Sequence, residues 1–130
     1  MEIIYQKVGL RRVINASGRM TALGVSTIHD ETGKTMVEAA QNYVVIDELI
    51  DRVGELLCPF TGADGTCVTA NTSAAICLSI AAVMTGSNLD LVEKIPDTTG
   101  LKNQVIIQKG HCVNYGAPVT QMTRTVVAIP

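Results

Sequence analysis

The sequence predicts an α/β protein whose partial, mainly parallel sheet is flanked by helices. Runs rich in β-branched residues alternate with helical segments in the second half, an order typical of strands joined by right-handed crossovers. Aromatic residues make up 3% of the chain and Trp is absent, so the core must be built from small aliphatic side chains that let helices pack closely on a sheet. The 130 residues correspond to about one domain.

The first half of the chain predicts an arm and a helix. Residues 1–34 show no sustained hydrophobic period and are interrupted by four glycines, so we predict an extended N-terminal arm with a short strand at residues 12–14. Residues 35–60 are predicted to form one amphipathic helix, because apolar side chains recur at three- and four-residue steps with charged residues between them. This helix should end near Cys58 and Pro59, since Pro59 disfavours a helical conformation in the residue before it.

Residues 61–130 are predicted to be the first part of an α/β domain. A glycine-rich turn leads to a strand at residues 66–70. A helix with its body at residues 74–84 and its stop at Gly86 follows directly, and it is apolar nearly all round, which places it between two layers. Its N-cap is one of three adjacent polar residues, Asn71, Thr72 or Ser73.

Two more β-branched runs follow a polar connector at residues 87–103. They predict strands at residues 104–108 and 123–129, with a short helical segment reaching Met122 between them. Three strands are too few to bury both faces of a parallel sheet. We therefore expect the sequence to be either the first part of a larger enzyme or a truncated relative of one.

Charge and hydropathy exclude several classes of protein. The 10 Lys and Arg residues against 12 Asp and Glu residues give a net charge of −2, which is a poor basis for nonspecific binding of nucleic acid. No apolar run approaches the roughly 18 residues that a membrane span needs. The N-terminal residues lack the basic-then-apolar order of a signal peptide, so a cytoplasmic protein with reduced thiols is expected.

The four cysteines predict no metal site. They form no CxxC pair, and the only one next to a histidine is Cys112, which follows His111. Burial as small apolar side chains is the preferred interpretation for all of them, over metal binding. The four are Cys58, Cys67, Cys77 and Cys112.

The strongest chemical signal is the junction at residues 70–75. A strand that turns directly into a helix presents free backbone N–H groups, the Thr72 and Ser73 hydroxyls and the positive end of the helix dipole at one point. This arrangement predicts a phosphate-binding loop. The absence of a Walker lysine and of a GxGxxG motif disfavours ATP and dinucleotides. The alternative is that Thr72 or Ser73 only caps a buried helix.

A second signal is His111, which follows the predicted strand at residues 104–108. Ligands collect at the carboxyl ends of strands in open α/β sheets, where a neutral imidazole could stack on a planar ring or transfer a proton. The alternative is a loop histidine that is hydrogen-bonded to a backbone carbonyl. The other histidine, His29, lies among polar residues of the arm and is interpreted as a solvated surface residue.

Three segments carry a resemblance to a known family. They are VINASGRMTALGVS at residues 13–26, TGADGTCVTANTSAA at residues 61–75 and IIQKGHCVNYGAPVTQM at residues 106–122. In order and spacing they resemble the N-terminal part of the selenocysteine-synthase-like (L-seryl-tRNA(Sec) selenium transferase-like) family, and most of all its D-glucosaminate-6-phosphate ammonia-lyase branch. These are pyridoxal-phosphate enzymes of the aspartate-aminotransferase fold, so the resemblance implies that residues 61–130 begin the large, cofactor-binding domain.

The resemblance also implies roles for individual residues. Thr72, Ser73 and Ala74 match the loop that holds the phosphate of pyridoxal phosphate, and His111 matches the residue that lies against the pyridine ring. Two residues of the arm, Asn15 and Arg19, fall in the N-terminal signature and are implied to bind substrate. Arg19 would pair with a substrate phosphate or carboxylate; a surface salt bridge is the alternative for it.

One departure from the family bears on activity. Members of the family are much longer than this chain, and their Schiff-base lysine and the aspartate that pairs with the pyridine nitrogen lie beyond the position that corresponds to Pro130. We therefore expect the N-terminal segment of a lyase or transferase that acts at the β-carbon of an amino acid or amino-sugar acid, inactive alone and part of a homo-oligomer. The expected substrate is an amino acid or amino-sugar phosphate. The alternative is a non-catalytic remnant that serves as an oligomerisation or interaction module.

Overall fold

The computed structural model describes residues 3–130, and these fall into two compact units. The first unit ends at Val44, and the second is Val45–Pro130. The regular structure of the described residues is helical, and β pairing within them is limited to two isolated bridges. None of the helices over this part of the chain is long and apolar enough to cross a membrane.

The first unit contains a short helix, a closed turn and a longer helix. Helix α1 is Ile4–Lys7, and a 3-10 turn at Thr21–Leu23 is closed by Gly24 in the left-handed conformation, with φ of 84°. Met20 and Val25 pair as an antiparallel bridge across this turn, with N···O distances of 3.1 and 2.9 Å. The predicted strand at residues 12–14 is not formed, because these residues have no paired neighbour in the described chain.

The region predicted as one helix at residues 35–60 contains two. Helix α2 is Asp30–Ala40 and helix α3 is Ile46–Thr61. The Asn42 side chain donates to the Glu38 carbonyl at 2.8 Å, which satisfies one of the terminal carbonyls of α2. The hydrophobic period continues across this break, so the pattern alone did not reveal it.

Helix α3 continues through Pro59 and ends at Thr61, close to the predicted end near Cys58 and Pro59. Proline lacks a backbone N–H, and in the last turn of a helix this removes only one hydrogen bond. Gly62, with φ of 70°, then ends the helix by donating its N–H to the Cys58 carbonyl at 2.9 Å.

A close contact joins α3 to the segment that follows it. Gly54 is buried, and a Cβ at this position would lie 2.5 Å from the Thr66 carbonyl oxygen. The Thr66 hydroxyl lies 3.3 Å from the Thr61 hydroxyl and 3.8 Å from Cys58 Sγ. A side chain larger than hydrogen at position 54 would therefore push these two segments apart.

The predicted helix at residues 74–84 is confirmed as α4, Thr72–Thr85. Gly86 ends it, as predicted, by donating to the Ala82 carbonyl at 2.8 Å. Helix α4 packs against α5, Leu89–Lys94, and α6, Val119–Thr125.

The polar connector contains α5 and the turn that follows it. The Asn88 side chain caps α5 by accepting from the Asp90 N–H at 3.0 Å. Beyond the helix, hydrogen bonds from Thr99 and the nearby Lys94 ammonium hold the pKa of the Asp97 carboxyl below its ordinary value. The connector is thus locally ordered although its sequence suggested a loop.

The three predicted strands are not formed within the described residues. Residues 66–69 have no β partner, and residues 104–108 pair only through a parallel bridge from Gln104 to Ile129. The run at residues 123–129 starts inside α6, and Val127 has φ of 56°, which no strand permits. The bridge between Gln104 and Ile129 is parallel, as expected for strands of this domain. A sheet also needs neighbouring strands, and β-branched composition alone does not provide them.

A buried polar network fixes the end of the chain to the connector. The Thr98 hydroxyl donates to the Val127 carbonyl at 3.3 Å, and Asn103 Nδ2 donates to the same hydroxyl at 3.0 Å. The Ile129 N–H then donates to the Asn103 carbonyl at 2.7 Å. The most buried side chains of the second unit are Met122, Thr123 and Ala128 with Thr85 and Thr98.

Candidate functional site

The N-terminus of α4 is capped by Asn71. Its side-chain oxygen accepts from the Ala74 N–H at 2.9 Å, and its carbonyl accepts from the Ala75 N–H at 3.0 Å. The capping function therefore belongs to Asn71, one of the three predicted candidates, and leaves the Thr72 and Ser73 hydroxyls out of the cap.

Thr72 and Ser73 present the remaining donors of this helix end. Their backbone N–H groups and hydroxyls form no hydrogen bond to any other residue of the described chain. Thr72 is exposed and Ser73 is half-buried, so both can be reached from solvent. Two free N–H groups, two hydroxyls and the positive end of a 14-residue helix form a donor set that suits a phosphate.

A side-chain hydrogen bond fixes the backbone immediately before α4. The Thr69 hydroxyl donates to the Asn71 carbonyl at 3.0 Å, and Asn71 itself is extended, with φ of −166°. Ala74, the third residue implied for the cofactor phosphate, contributes no side-chain donor, and its N–H is used by the cap. Its small side chain leaves space beside Ser73.

His111 is the last residue of a 3-10 turn, Lys109–His111, which follows residues 104–108. The side chain is exposed, and its ring makes no hydrogen bond within residues 3–130. Its backbone is fixed, because the His111 N–H donates to the Gln108 carbonyl and its carbonyl accepts from Val113, both at 2.8 Å. The alternative of a ring bonded to a backbone carbonyl is therefore not observed, and the imidazole is free to meet a ligand.

The two predicted substrate residues lie in the first unit and line one cleft of about 840 Å³. Asn15 closes a tight turn, since its side-chain oxygen accepts from the Ser17 N–H at 3.0 Å and its amide donates to the Gly18 carbonyl at 2.5 Å. Arg19 follows this turn and forms no ion pair with a described carboxylate. The surface salt bridge considered for Arg19 is thus not present over residues 3–130.

The structure groups the predicted residues by element. Thr72, Ser73 and Ala74 are consecutive at the start of α4, and His111 lies on a separate turn of the same unit. Sequence reasoning missed Arg11, which lines the same cleft as Arg19. The only signal in the sequence was the adjacent pair Arg11 and Arg12. The pair does not reveal which of the two side chains faces the cleft.

The cysteines only partly follow the prediction. Cys58, Cys77 and Cys112 are half-buried, and Cys77 donates to the Met122 carbonyl at 3.3 Å between α4 and α6. Cys67 is exposed, so its predicted burial was wrong, because the segment that carries it is not covered by a neighbouring strand. Over the described residues, no three His, Cys, Asp or Glu side chains are arranged to hold a metal ion.

Comparison with known proteins gives two related sequences. No family model matches the chain. It is 43% identical over 121 residues to D-glucosaminate-6-phosphate ammonia lyase of Salmonella typhimurium, an alignment that covers 93% of this chain and 33% of that protein. It is 32% identical over 119 residues to 5'-C-glycyluridine monooxygenase-decarboxylase of a Streptomyces species, covering 91% of this chain and 30% of that protein.

A solved structure of D-glucosaminate-6-phosphate ammonia-lyase has the same fold over the matched region. The TM-score is 0.90 at 42% identity, and the match covers 95% of this chain and 33% of that one. The chain thus spans about a third of the length of the curated relatives that it matches. It is a close homologue of D-glucosaminate-6-phosphate ammonia-lyase over that third, in agreement with the resemblance found in the sequence.

Proposed function

We propose that the chain supplies the phosphate-binding part of a pyridoxal-phosphate-dependent lyase or transferase of the selenocysteine-synthase-like family. The observation that carries this proposal is the start of α4, where Asn71 takes over the cap and leaves Thr72 and Ser73 with free donors. Because Asn71 caps the helix alone, the helix start uses neither hydroxyl. Here both are available for an anion.

The donor set fits pyridoxal phosphate. Thr72, Ser73 and Ala74 would hold its phosphate, in a position where the helix dipole favours negative charge. The free imidazole of His111 would lie against its planar ring. When bound, the cofactor supplies the electron sink for a carbanion at the substrate α-carbon. The protein residues fix the cofactor's orientation.

The proposed reaction is elimination or replacement at the β-carbon of an amino acid or amino-sugar acid. The name of the Salmonella relative, an ammonia lyase of a phosphorylated amino-sugar acid, supports elimination and an amino-sugar-phosphate substrate. Asn15 and Arg19 are proposed to bind that substrate, because Arg19 carries a guanidinium free of ion pairs with described residues and lines a cleft. We further propose a cytoplasmic homo-oligomer.

The chain is proposed to be inactive alone, because catalysis by this route needs a lysine that binds the cofactor covalently. None of its lysines lies in a sequence context that matches the family's. They are Lys7, Lys34, Lys94, Lys102 and Lys109.

The second candidate function, an oligomerisation or interaction module, is favoured by a separate observation. Several large apolar side chains of the second unit are almost fully exposed to solvent. Phe60 is 86% exposed, Val83 is 87% exposed and Ile106 is 100% exposed. Apolar surface of this kind marks sites of protein association. The module and the cofactor site are compatible if association completes the site.

A chimera tests the proposed function. In it, the whole chain replaces the matched third of the Salmonella relative, and the Ser73→Asp variant is compared with a control, Ser79→Asp, on the exposed side of the same helix. Asp at position 73 puts a second negative charge where the phosphate would bind, so pyridoxal-phosphate affinity should fall by at least about 100-fold. Asp at position 79 should leave it within about twofold, a change of less than 1 kcal/mol.

Thermal unfolding without cofactor separates binding from folding in the same variants. Asp is favoured near a helix N-terminus, so Ser73→Asp should unfold within a few degrees of the parent. Unchanged affinity in Ser73→Asp would refute the phosphate site. A folding collapse of that variant in the absence of cofactor would assign the junction a structural role instead.

A further inference from the structure

Residues 104–108, which we call the edge segment, have an extended backbone and a paired neighbour on one side. From Leu101 to Gln108 the side chains alternate between half-buried and exposed at every position. A period of two is typical of an extended chain with one face packed and the other in solvent. Gln108 itself is extended, with φ of −60° and ψ of 132°. On the paired side, the Val105 N–H donates to the Ile129 carbonyl at 2.8 Å.

The opposite side of the edge segment is open. Consecutive residues of an extended chain direct their N–H and C=O groups to opposite sides. Because the odd-numbered residues face Ile129, the groups of Gln104, Ile106 and Gln108 face away from it. Apart from the Gln108 carbonyl, which accepts from the His111 N–H at 2.8 Å, none of these groups forms a hydrogen bond within the described part of the chain. An unpaired strand edge is a template for pairing with another chain.

The sequence of the edge segment favours a second copy of the chain as the occupant of the open side. Gln-Val-Ile-Ile-Gln reads almost the same in both directions about Ile106. In an antiparallel pair with Ile106 on a two-fold axis, Gln104 lies opposite Gln108 of the second copy. Val105 then lies opposite Ile107. Matching side chains face each other across the pair, close enough to pack or to hydrogen-bond, and a two-fold interface needs such a self-complementary surface.

This register also pairs the open backbone groups. The Ile106 N–H of each copy would donate to the Ile106 carbonyl of the other, and the Gln108 N–H would donate to the Gln104 carbonyl. The Gln104 N–H would face the Gln108 carbonyl, which has a second lone pair to offer. A one-residue shift in either direction would set the open groups against residues whose own groups face Ile129.

The charges around the edge segment are compatible with this register. The segment itself contains no charged residue, and Lys102 and Lys109 are the nearest on either side. With Ile106 on the axis, Lys109 comes next to Asn103 of the second copy and not opposite Lys102. A shift that set the two lysines opposite each other would add repulsion between like charges.

We propose that two copies of the chain associate by antiparallel pairing of their edge segments, with Ile106 on the two-fold axis. This proposal rests on the second candidate function, the oligomerisation module, and names its partner and one of its contact surfaces. It is independent of the cofactor site, which lies at the start of α4.

Hydrogen exchange on the whole chain, without cofactor, reports pairing at this edge alone. The Gln108 N–H is open in one copy and paired in two, so it should gain at least about tenfold protection when the concentration is raised until the chain associates. The Val105 N–H is the internal control. It is already bonded to the Ile129 carbonyl and should change less than about twofold.

Two substitutions on the axis separate backbone pairing from apolar contact. Ile106→Pro keeps an apolar side chain but removes the N–H that would donate across the axis, and this N–H has no partner to lose within the described chain. Ile106→Thr keeps the N–H and the β-branched shape but is less apolar. The concentration at which Gln108 is half protected should rise at least about 20-fold in the proline variant and less than about fivefold in the threonine variant.

A mixture of ¹³C-labelled and unlabelled wild-type chains tests the register. The proposed pairing places Val105 of one copy and Ile107 of the other in a pair without hydrogen bonds, with Cα atoms about 4.5 Å apart. Isotope-filtered spectra should therefore show an Hα–Hα contact between these two residues. Amide spectra of the variants report whether the fold is retained, and if Ile106→Pro lost it, the wild-type contact would decide the question.

Weakening by Ile106→Thr that equals or exceeds weakening by Ile106→Pro would show contact between apolar patches and overturn the proposal. An intermolecular contact in another register would do the same. Association that leaves the Gln108 N–H unprotected would also overturn it, since the open edge would then serve a strand of a different protein, while the oligomerisation module would stand. A chain that stays monomeric at every concentration would overturn both.

Discussion

At the scale of single residues, Gly54 determines how closely two segments approach. Its buried position on α3 places the missing Cβ 2.5 Å from the Thr66 carbonyl oxygen, a distance that real Cβ atoms do not tolerate. The backbone oxygen cannot rotate away as a flexible side chain could. Glycine is therefore needed here for space, and its φ does not require it.

We predict that Gly54→Ala destabilises the chain by up to about 2 kcal/mol. Overpacking typically costs about 1–3 kcal/mol, and alanine recovers about 1 kcal/mol through its higher helix propensity. The matched control is Gly33→Ala on α2, where the new Cβ would lie 3.6 Å from Ile28 Cδ1, an ordinary contact. Urea unfolding should show the control equal to or more stable than the parent. Equal stabilisation of both variants would contradict the close approach.

At the scale of elements, α4 shows what local sequence signals can specify. Asn71, the apolar body and Gly86 all lie within the helix or next to it, and its bounds followed from them. The break between α2 and α3 has no Pro or Gly to mark it, and Pro59 lies inside α3. Local rules therefore missed the break, whereas they placed the end of α3 within a few residues of Thr61.

The predicted strands show what local sequence signals do not specify. Residues 66–69 and 104–108 have β-forming composition, yet pairing depends on neighbours distant in sequence, and only Gln104 finds one. The sequence resemblance implied two residues of the cleft of the arm, Asn15 and Arg19, but missed Arg11, because the turns that bring Arg11 to the same place are not evident in the sequence.

The cap of α4 gives a prediction at this scale. Asn71→Ala removes the acceptor for the Ala74 N–H and should cost about 1 kcal/mol, whereas Thr72→Ala should cost less than about half of that, because Thr72 takes no part in the cap. Thermal unfolding of the two variants measures the difference. A larger loss in Thr72→Ala would return the capping role to Thr72 and weaken the argument for a free phosphate donor.

At the scale of the whole molecule, exposed apolar side chains predict association. Helix α4 is apolar nearly all round, but α5 and α6 cover only part of it and leave Val83 at 87% exposure. Phe60 and Ile106 are exposed to a similar degree in the same unit. Isolated surface residues of this kind are common, but a helix that is apolar nearly all round is typical of a buried layer.

We therefore predict that the purified chain is not monomeric. Light scattering should give a mass above 13.8 kDa that rises with concentration. Val83→Asp should lower the association, and Ser87→Asp, which adds the same charge at an exposed polar position beyond the end of the helix, should leave it unchanged. A compact monomer at high concentration would contradict this prediction.

The central claim is that the start of α4 binds a cofactor phosphate. The most direct test is a crystal structure, with pyridoxal phosphate, of the chimera in which this chain replaces the matched third of the Salmonella relative. The account predicts phosphate oxygens about 2.7–3.2 Å from the backbone nitrogens of Thr72 and Ser73, the normal range for such hydrogen bonds. A cofactor phosphate bound elsewhere, with these two N–H groups paired to another part of the protein, would contradict it.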